Sequence, residues 1–210
     1  QPEGLKQVAP AQIEAAARAL QGNKKTALML GGPALREPAL TAVGKVAQAT
    51  GATLLCETFP ARLQRGAGRV PLQRVPYFAE QALDFLADFE QMILIGAKAP
   101  VAFFAYPGVA SLLAPDACEI VTVADVDDDV SAAVNSLTEL LDAHDQYPVQ
   151  QRVVVEVQDD TLTPAAIGDV VCELVPADAI VSDEGISCGL ELFLRTQGAA
   201  QHDWLAITGG

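Results

Sequence analysis

Two stretches near the carboxyl end carry the residue types best suited to chemistry. In Ser182-Asp183-Glu184-Gly185-Ile186-Ser187 two carboxylates, a glycine and a hydroxyl follow the apolar run Ala179-Ile180-Val181. In Trp204-Leu205-Ala206-Ile207-Thr208-Gly209-Gly210 a second apolar run delivers the chain into paired glycines. Strands that end in polar and glycine residues are how open parallel sheets meet ligands at their carboxyl ends. Glycine there lets the backbone approach a guest closely. A helix expected from about Cys188 to Arg195 follows the first loop, so its amino-end amides, Gly185 and the Ser187 hydroxyl suit an anion such as a phosphate. Ser187 suits a plain helix cap equally well.

A third stretch, Glu57 to Arg69, gathers Arg62, Arg65 and Arg69 after a predicted strand. It is either a phosphate site for a nucleotide or a solvated surface loop. Asp125 to Asp129 cluster ahead of a predicted helix, where the helix dipole and capping account for them without a metal. Cys56, Cys118, Cys172 and Cys188 lie far apart and none belongs to a Cys-x-x-Cys pair. They are expected to be buried, reduced thiols, and no residue is assigned as a metal ligand.

The elements that must position these residues read as alternating strands and helices. A helix over Pro10 to Gln21 turns Ile13, Ala16, Ala17 and Leu20 inward and stops at Gly22-Asn23. Strand Thr26 to Leu30, the turn Gly31-Gly32-Pro33, a helix from about Pro38 to Thr50 ended by Gly51, and strand Thr53 to Cys56 form one right-handed parallel unit. A helix over Pro76 to Phe89 presents Phe78, Ala82, Phe85, Leu86 and Phe89 as an apolar stripe, and strand Met92 to Gly96 follows. Ala97 to Gly108, rich in proline and aromatics, either covers a pocket or plugs the sheet edge. Strand Glu119 to Val123 precedes a helix over about Val130 to Ala143.

From His144 to Asp160 the periodicity lapses, and the run Val153 to Val157 is either a short strand or an ordered linker. A helix capped by Thr163, with Pro164 at its first position, then turns Ile167, Val170, Val171 and Leu174 inward. The expected class is therefore α/β: a Rossmann-like, doubly wound parallel sheet over residues 1–150, and an incomplete second α/β unit over 151–210.

A formal charge of −14 argues against a nucleic-acid partner, and the few Lys and Arg residues form no basic stripe. No apolar run reaches the roughly 18 to 20 residues of a membrane span, and the polar start, Gln1 to Val8, lacks the pattern of a secretory signal. A cytoplasmic protein is expected.

Four groups of residues resemble one known family. Leu162-Thr163-Pro164-Ala165-Ala166, Ala179-Ile180-Val181-Ser182-Asp183-Glu184-Gly185 and His202-Asp203-Trp204-Leu205 with Thr208-Gly209-Gly210 look like the opening of the diphosphate-binding domain of thiamine diphosphate enzymes. Leu94-Ile95-Gly96-Ala97-Lys98-Ala99-Pro100-Val101 with Phe104-Ala105-Tyr106-Pro107-Gly108 resembles the central domain of the same group. The nearest types are the acetolactate synthase large subunits and their benzoylformate decarboxylase-like cousins.

The resemblance implies a fragment, inactive alone, of a transferase or lyase that decarboxylates a small-molecule 2-oxo acid and either joins the product to a second carbonyl or releases an aldehyde. It implies thiamine diphosphate and Mg2+ as cofactors of the intact parent, with Gly185, Ile186 and Ser187 at the diphosphate and Gly209 and Gly210 at the aminopyrimidine. It implies no catalytic residue in this chain: the family's activating glutamate belongs to a domain not seen here, and Glu184 maps beside the diphosphate loop. The family's parents are homo-oligomers, dimers or tetramers, and some central domains of this group bind FAD. An independent nucleotide- or flavin-binding module is the alternative, although Gly31-Gly32-Pro33 departs from the dinucleotide fingerprint and Pro33 lacks an amide donor.

Overall fold

A computed structural model of the chain describes residues 4–105, 107–144, 146–156, 161–185 and 189–207. Tertiary contacts divide it into two units, one of residues 1–58 and 72–147, the other of residues 59–71 and 148–210.

The first unit is built on five parallel strands: β1 (Thr26–Leu30), β2 (Thr53–Cys56), β4 (Gln73–Arg74), β5 (Gln91–Ile95) and β6 (Glu119–Ala124). Their order across the sheet is β4-β2-β1-β5-β6. β1 and β5 are buried along their whole length because they lie centrally in a sheet covered on both faces, which explains their unbroken apolar sequence. Alternation sends Ala27, Met29, Met92 and Leu94 to one face, where they pack on Ala79, Ala82 and Leu86 of helix α3 (Ala79–Leu86). Leu28, Leu30, Ile93 and Ile95 go to the other face. Three further helices belong to this unit: α1 (Pro10–Leu20), α2 (Ala39–Thr50) and α4 (Val130–Leu140).

The caps obey local chemistry. Gly51 ends α2 at φ 72°, the left-handed conformation that glycine adopts without strain. Asp129 caps α4, its carboxylate accepting the Ala132 amide at 3.0 Å. α3 is shorter than the apolar stripe predicts. It begins only at Ala79, and Phe78 is 59% exposed with its ring against Tyr77, because Pro76 and the extended backbone of Phe78 delay the first turn.

The second unit holds a three-stranded sheet of order β3-β8-β7, made of β3 (Leu63–Arg65), β7 (Ala179–Asp183) and β8 (His202–Ala206). The stretch around Leu63 to Arg65, read from sequence as loop, is thus a strand antiparallel to β8, with Leu63 opposite Trp204 and Arg65 opposite His202. Helices α5 (Pro164–Leu174) and α6 (Gly189–Arg195) accompany this sheet. Thr163 caps α5 through the Ala166 amide at 3.1 Å.

The inward face of α5 differs from expectation. Gly168 and Cys172 are buried, whereas Ile167, Val170 and Leu174 are exposed. The reason is helix-to-helix approach: a Cβ on Gly168 would sit 2.8 Å from Cβ of Arg195, so the helices meet where α5 has no side chain. Val153 to Glu156 are not part of a strand, the Val153 amide donates to Gly198 O at 2.9 Å, and Val157 lies outside the described residues. Cys56 and Cys172 are buried free thiols as expected, Cys118 is free but only partly buried, and Cys188 lies outside the described residues. No helix among the described residues is long and apolar enough to cross a membrane.

Candidate functional site

β7 and β8 are neighbours, parallel, and paired from Ala179 with His202 to Asp183 with Ala206. The two apolar runs singled out in the sequence therefore end side by side. Beyond the pairing, Ile207 donates its amide to Asp183 O at 3.0 Å.

The loop after β7 turns tightly on glycine. The Gly185 amide donates to Asp183 Oδ1 at 2.9 Å. A Cβ on Gly185 would lie 2.9 Å from the Gly189 nitrogen, and one on Gly189 would lie 2.6 Å from Asp183 Oδ1. Neither position accepts a side chain. The described residues fit a diphosphate only in part: Gly185 brings backbone without a side chain to the end of β7, while its amide is already taken by the Asp183 carboxylate. Ile186, Ser187, Gly209 and Gly210, the other residues expected at the cofactor, lie outside the described residues.

Arg62, Arg65 and Arg69 belong to the second unit and not to the first unit's sheet, to which the sequence order assigned them. Arg62 donates Nε and Nη2 to Asp203 Oδ2, at 3.0 and 2.5 Å. Arg65 is 6% exposed, and its guanidinium lies 3.8 Å from the Phe193 ring and 5.1 Å from that of Trp204. Its Nη2 donates to Phe193 O at 2.6 Å and Nη1 to Thr196 Oγ1 at 3.4 Å. The Arg69 backbone is bonded at both ends, its amide to Gly66 O and its carbonyl to the Gln150 amide.

Sequence reasoning missed the cluster that fixes β8. Trp204 is fully buried, edge-on to Phe193 at 5.3 Å, and Leu63, Arg65 and His202 share its face of the sheet. The alternation in Leu63-Gln64-Arg65 was the available signal, and three residues are too short a run to separate strand from loop. Burial pushes the His202 imidazole below the ordinary histidine range, its bond to Ala200 O opposing that and Arg65 adding to it.

In the first unit, the strand order reverses between β1 and β5, the position at which doubly wound folds bind ligands. Here two backbones meet. Gly31 donates its amide to Ile95 O at 3.1 Å, and a Cβ on Gly31 would come 2.5 Å from Gly96 O.

This architecture defines an α/β protein of the doubly wound class, carrying a glycine-built loop at the carboxyl end of a second parallel pair. No protein-family profile matches the chain. It is 40% identical over 205 residues to a protein of Mycobacterium tuberculosis that carries the provisional name acetolactate synthase large subunit IlvX. That match covers 96% of this chain and 39% of the relative. Among solved structures, the thiamine diphosphate-dependent 4-hydroxybenzoylformate decarboxylase of Rhodococcus jostii superposes with a TM-score of 0.69 at 18% identity, covering 98% of this chain and 42% of that one. Benzoylformate decarboxylase from Polynucleobacter necessarius does so with a TM-score of 0.65 at 15% identity, again over 98% and 42%. The structural likenesses show the fold. The chain is thus similar over nearly its whole length to one acetolactate synthase-like protein, and it spans about two fifths of the length of the proteins it matches.

Proposed function

We propose that this chain is part of a thiamine diphosphate-dependent enzyme of acetolactate synthase type acting on a 2-oxo acid, and that it is inert by itself. The observation that carries the reading is the 40% identity to the named acetolactate synthase-like relative across nearly all of this chain. The side-by-side ends of β7 and β8, with the bare backbone of Gly185, support it.

In this reading residues 1–150 are the central domain and 151–210 open the diphosphate-binding domain. The Gly185 backbone with Ile186 and Ser187 holds the cofactor diphosphate, accompanied by Mg2+, and Gly209 and Gly210 offer backbone contacts to the aminopyrimidine. When bound, the cofactor supplies the electron sink for decarboxylating the 2-oxo acid. The chain's own part is to bind and orient. Asp183 fixes the loop by accepting the Gly185 amide, and it must give up that bond if the same amide is to meet a phosphate oxygen. No residue here is assigned to proton transfer, so decarboxylase and carboligase parents are both consistent with the site, and the parent is read as a soluble homo-oligomer.

The test is amide chemical-shift mapping of the chain with millimolar thiamine diphosphate and Mg2+, alongside FAD and ATP. Shifts centred on the loop from Asp183 to Gly189, with no turnover of pyruvate or benzoylformate, are expected. Shifts confined to Gly31 and Gly96 with FAD or ATP would replace the reading by a nucleotide-binding module. Turnover by the chain alone would show that it is not inert.

A further inference from the structure

His202 begins β8, is 4% exposed and stands directly across from Arg65 in the antiparallel pair with β3. Its Nδ1 lies 2.7 Å from Ala200 O. A carbonyl oxygen only accepts, so Nδ1 carries the proton, and in the neutral ring Nε2 keeps its lone pair. Nε2 is buried with no hydrogen-bond partner among the described residues. Trp204 Nε1, on the same face of β8, is in the same condition.

Protonation of the ring would change three things together. It would put a new N–H at Nε2, where no acceptor waits, and a buried donor left unmet costs about 1–3 kcal/mol. It would place a second cation opposite the Arg65 guanidinium, in a region of low dielectric. It would also act at the pairing that joins β3 to β8. The charged groups on the elements packed around this position are few and mostly engaged elsewhere. Asp203, the adjacent residue, is held by Arg62 at 2.5 Å. On α6, Arg195 pairs with Asp169 and Glu191. Asp178, ahead of β7, meets the start of β8 through its backbone amide to Gln201 O at 2.7 Å.

We propose that His202 is an acid-sensitive latch: neutral, it lets β3 and β8 pair over the Arg65 cluster, and protonated it releases them. This goes beyond the cofactor reading and does not depend on it. Burial lowers the affinity of this imidazole for its proton, which fits the geometry. The sign follows from linkage. The unfolded ring takes up its proton near pH 6.5, at about the ordinary histidine value, and the folded ring only at lower pH. Stability is therefore complete above that value and declines as pH falls through the window beneath it.

The experiment is amide hydrogen exchange on the 210-residue chain between about pH 7.5 and about pH 5, corrected for intrinsic rates, with His202→Gln measured in parallel. The opening constant of residues 63–65 and 202–206 should rise by up to about tenfold per pH unit within the window, with β1 and β5 unchanged. His202→Gln should abolish that dependence. Protection independent of pH, or an equal dependence in the variant, would overturn the proposal. Proton NMR titration of His202 decides the matter if the variant does not fold: its midpoint in the folded chain must lie below its midpoint in the urea-unfolded chain, and an equal or higher midpoint would overturn the latch.

Discussion

Replacing Arg65 by alanine removes the side chain on which β3, α6 and β8 converge. The guanidinium stacks at 3.8 Å on Phe193 and at 5.1 Å on Trp204, and it donates to Phe193 O at 2.6 Å. A desolvated cation–π contact is worth about 1–2 kcal/mol. A hydrogen bond from a charged donor adds about 1.5–3 kcal/mol. The expected loss is about 3–5 kcal/mol, a large share of the roughly 5–15 kcal/mol that holds a domain together. The sequence contains a single tryptophan, Trp204, and it lies in the second unit, so its fluorescence during urea unfolding reports that unit alone. Arg62→Ala serves as the control, because its pair with Asp203 is half exposed and such pairs contribute about 0–1 kcal/mol. A loss for Arg65→Ala no larger than that of Arg62→Ala would refute the claim that the buried guanidinium anchors β8.

Other substitutions probe single contacts. Gly31→Ala drives a Cβ to 2.5 Å from Gly96 O, backbone against backbone, and should lose about 2–4 kcal/mol in urea unfolding followed by circular dichroism. Gly51→Ala meets nothing within 4 Å but must hold φ 72°, so a loss of only about 1 kcal/mol is expected by the same assay. Asp129→Ala removes the α4 cap to Ala132 and should cost about 1 kcal/mol of first-unit stability. In alkylation mapped by mass spectrometry, half-exposed Cys118 should be modified well before Cys56 and Cys172, and equal rates would show that the two buried thiols open readily.

Most of the first unit was legible in the sequence. Its strands are short, unbroken apolar runs because both faces of the sheet are covered, and its helices carry clear stops such as Gly51 and starts such as Asp129. These are local signals, set by the backbone chemistry of a few adjacent residues. The pairing of Ala179 to Asp183 with the strand before the terminal glycines was also legible, since two apolar runs around one short helix have few other arrangements.

What the sequence could not settle lay in contacts between distant segments. Leu63 to Arg65 becomes a strand only because β8, far later in the chain, offers it an edge, and Phe193 of α6 with Trp204 receives the Arg65 guanidinium. On α5 the apolar residues Ile167, Val170 and Leu174 advertise an inward face, yet the absence of a side chain at Gly168 lets Arg195 of α6 approach on another side. In the sequence Arg65 reads as a loop arginine, and His202 stands out only as part of His202-Asp203-Trp204-Leu205. Tertiary structure alone makes them neighbours in a buried sheet, because burial and partner choice are properties of the assembled chain and not of any window within it.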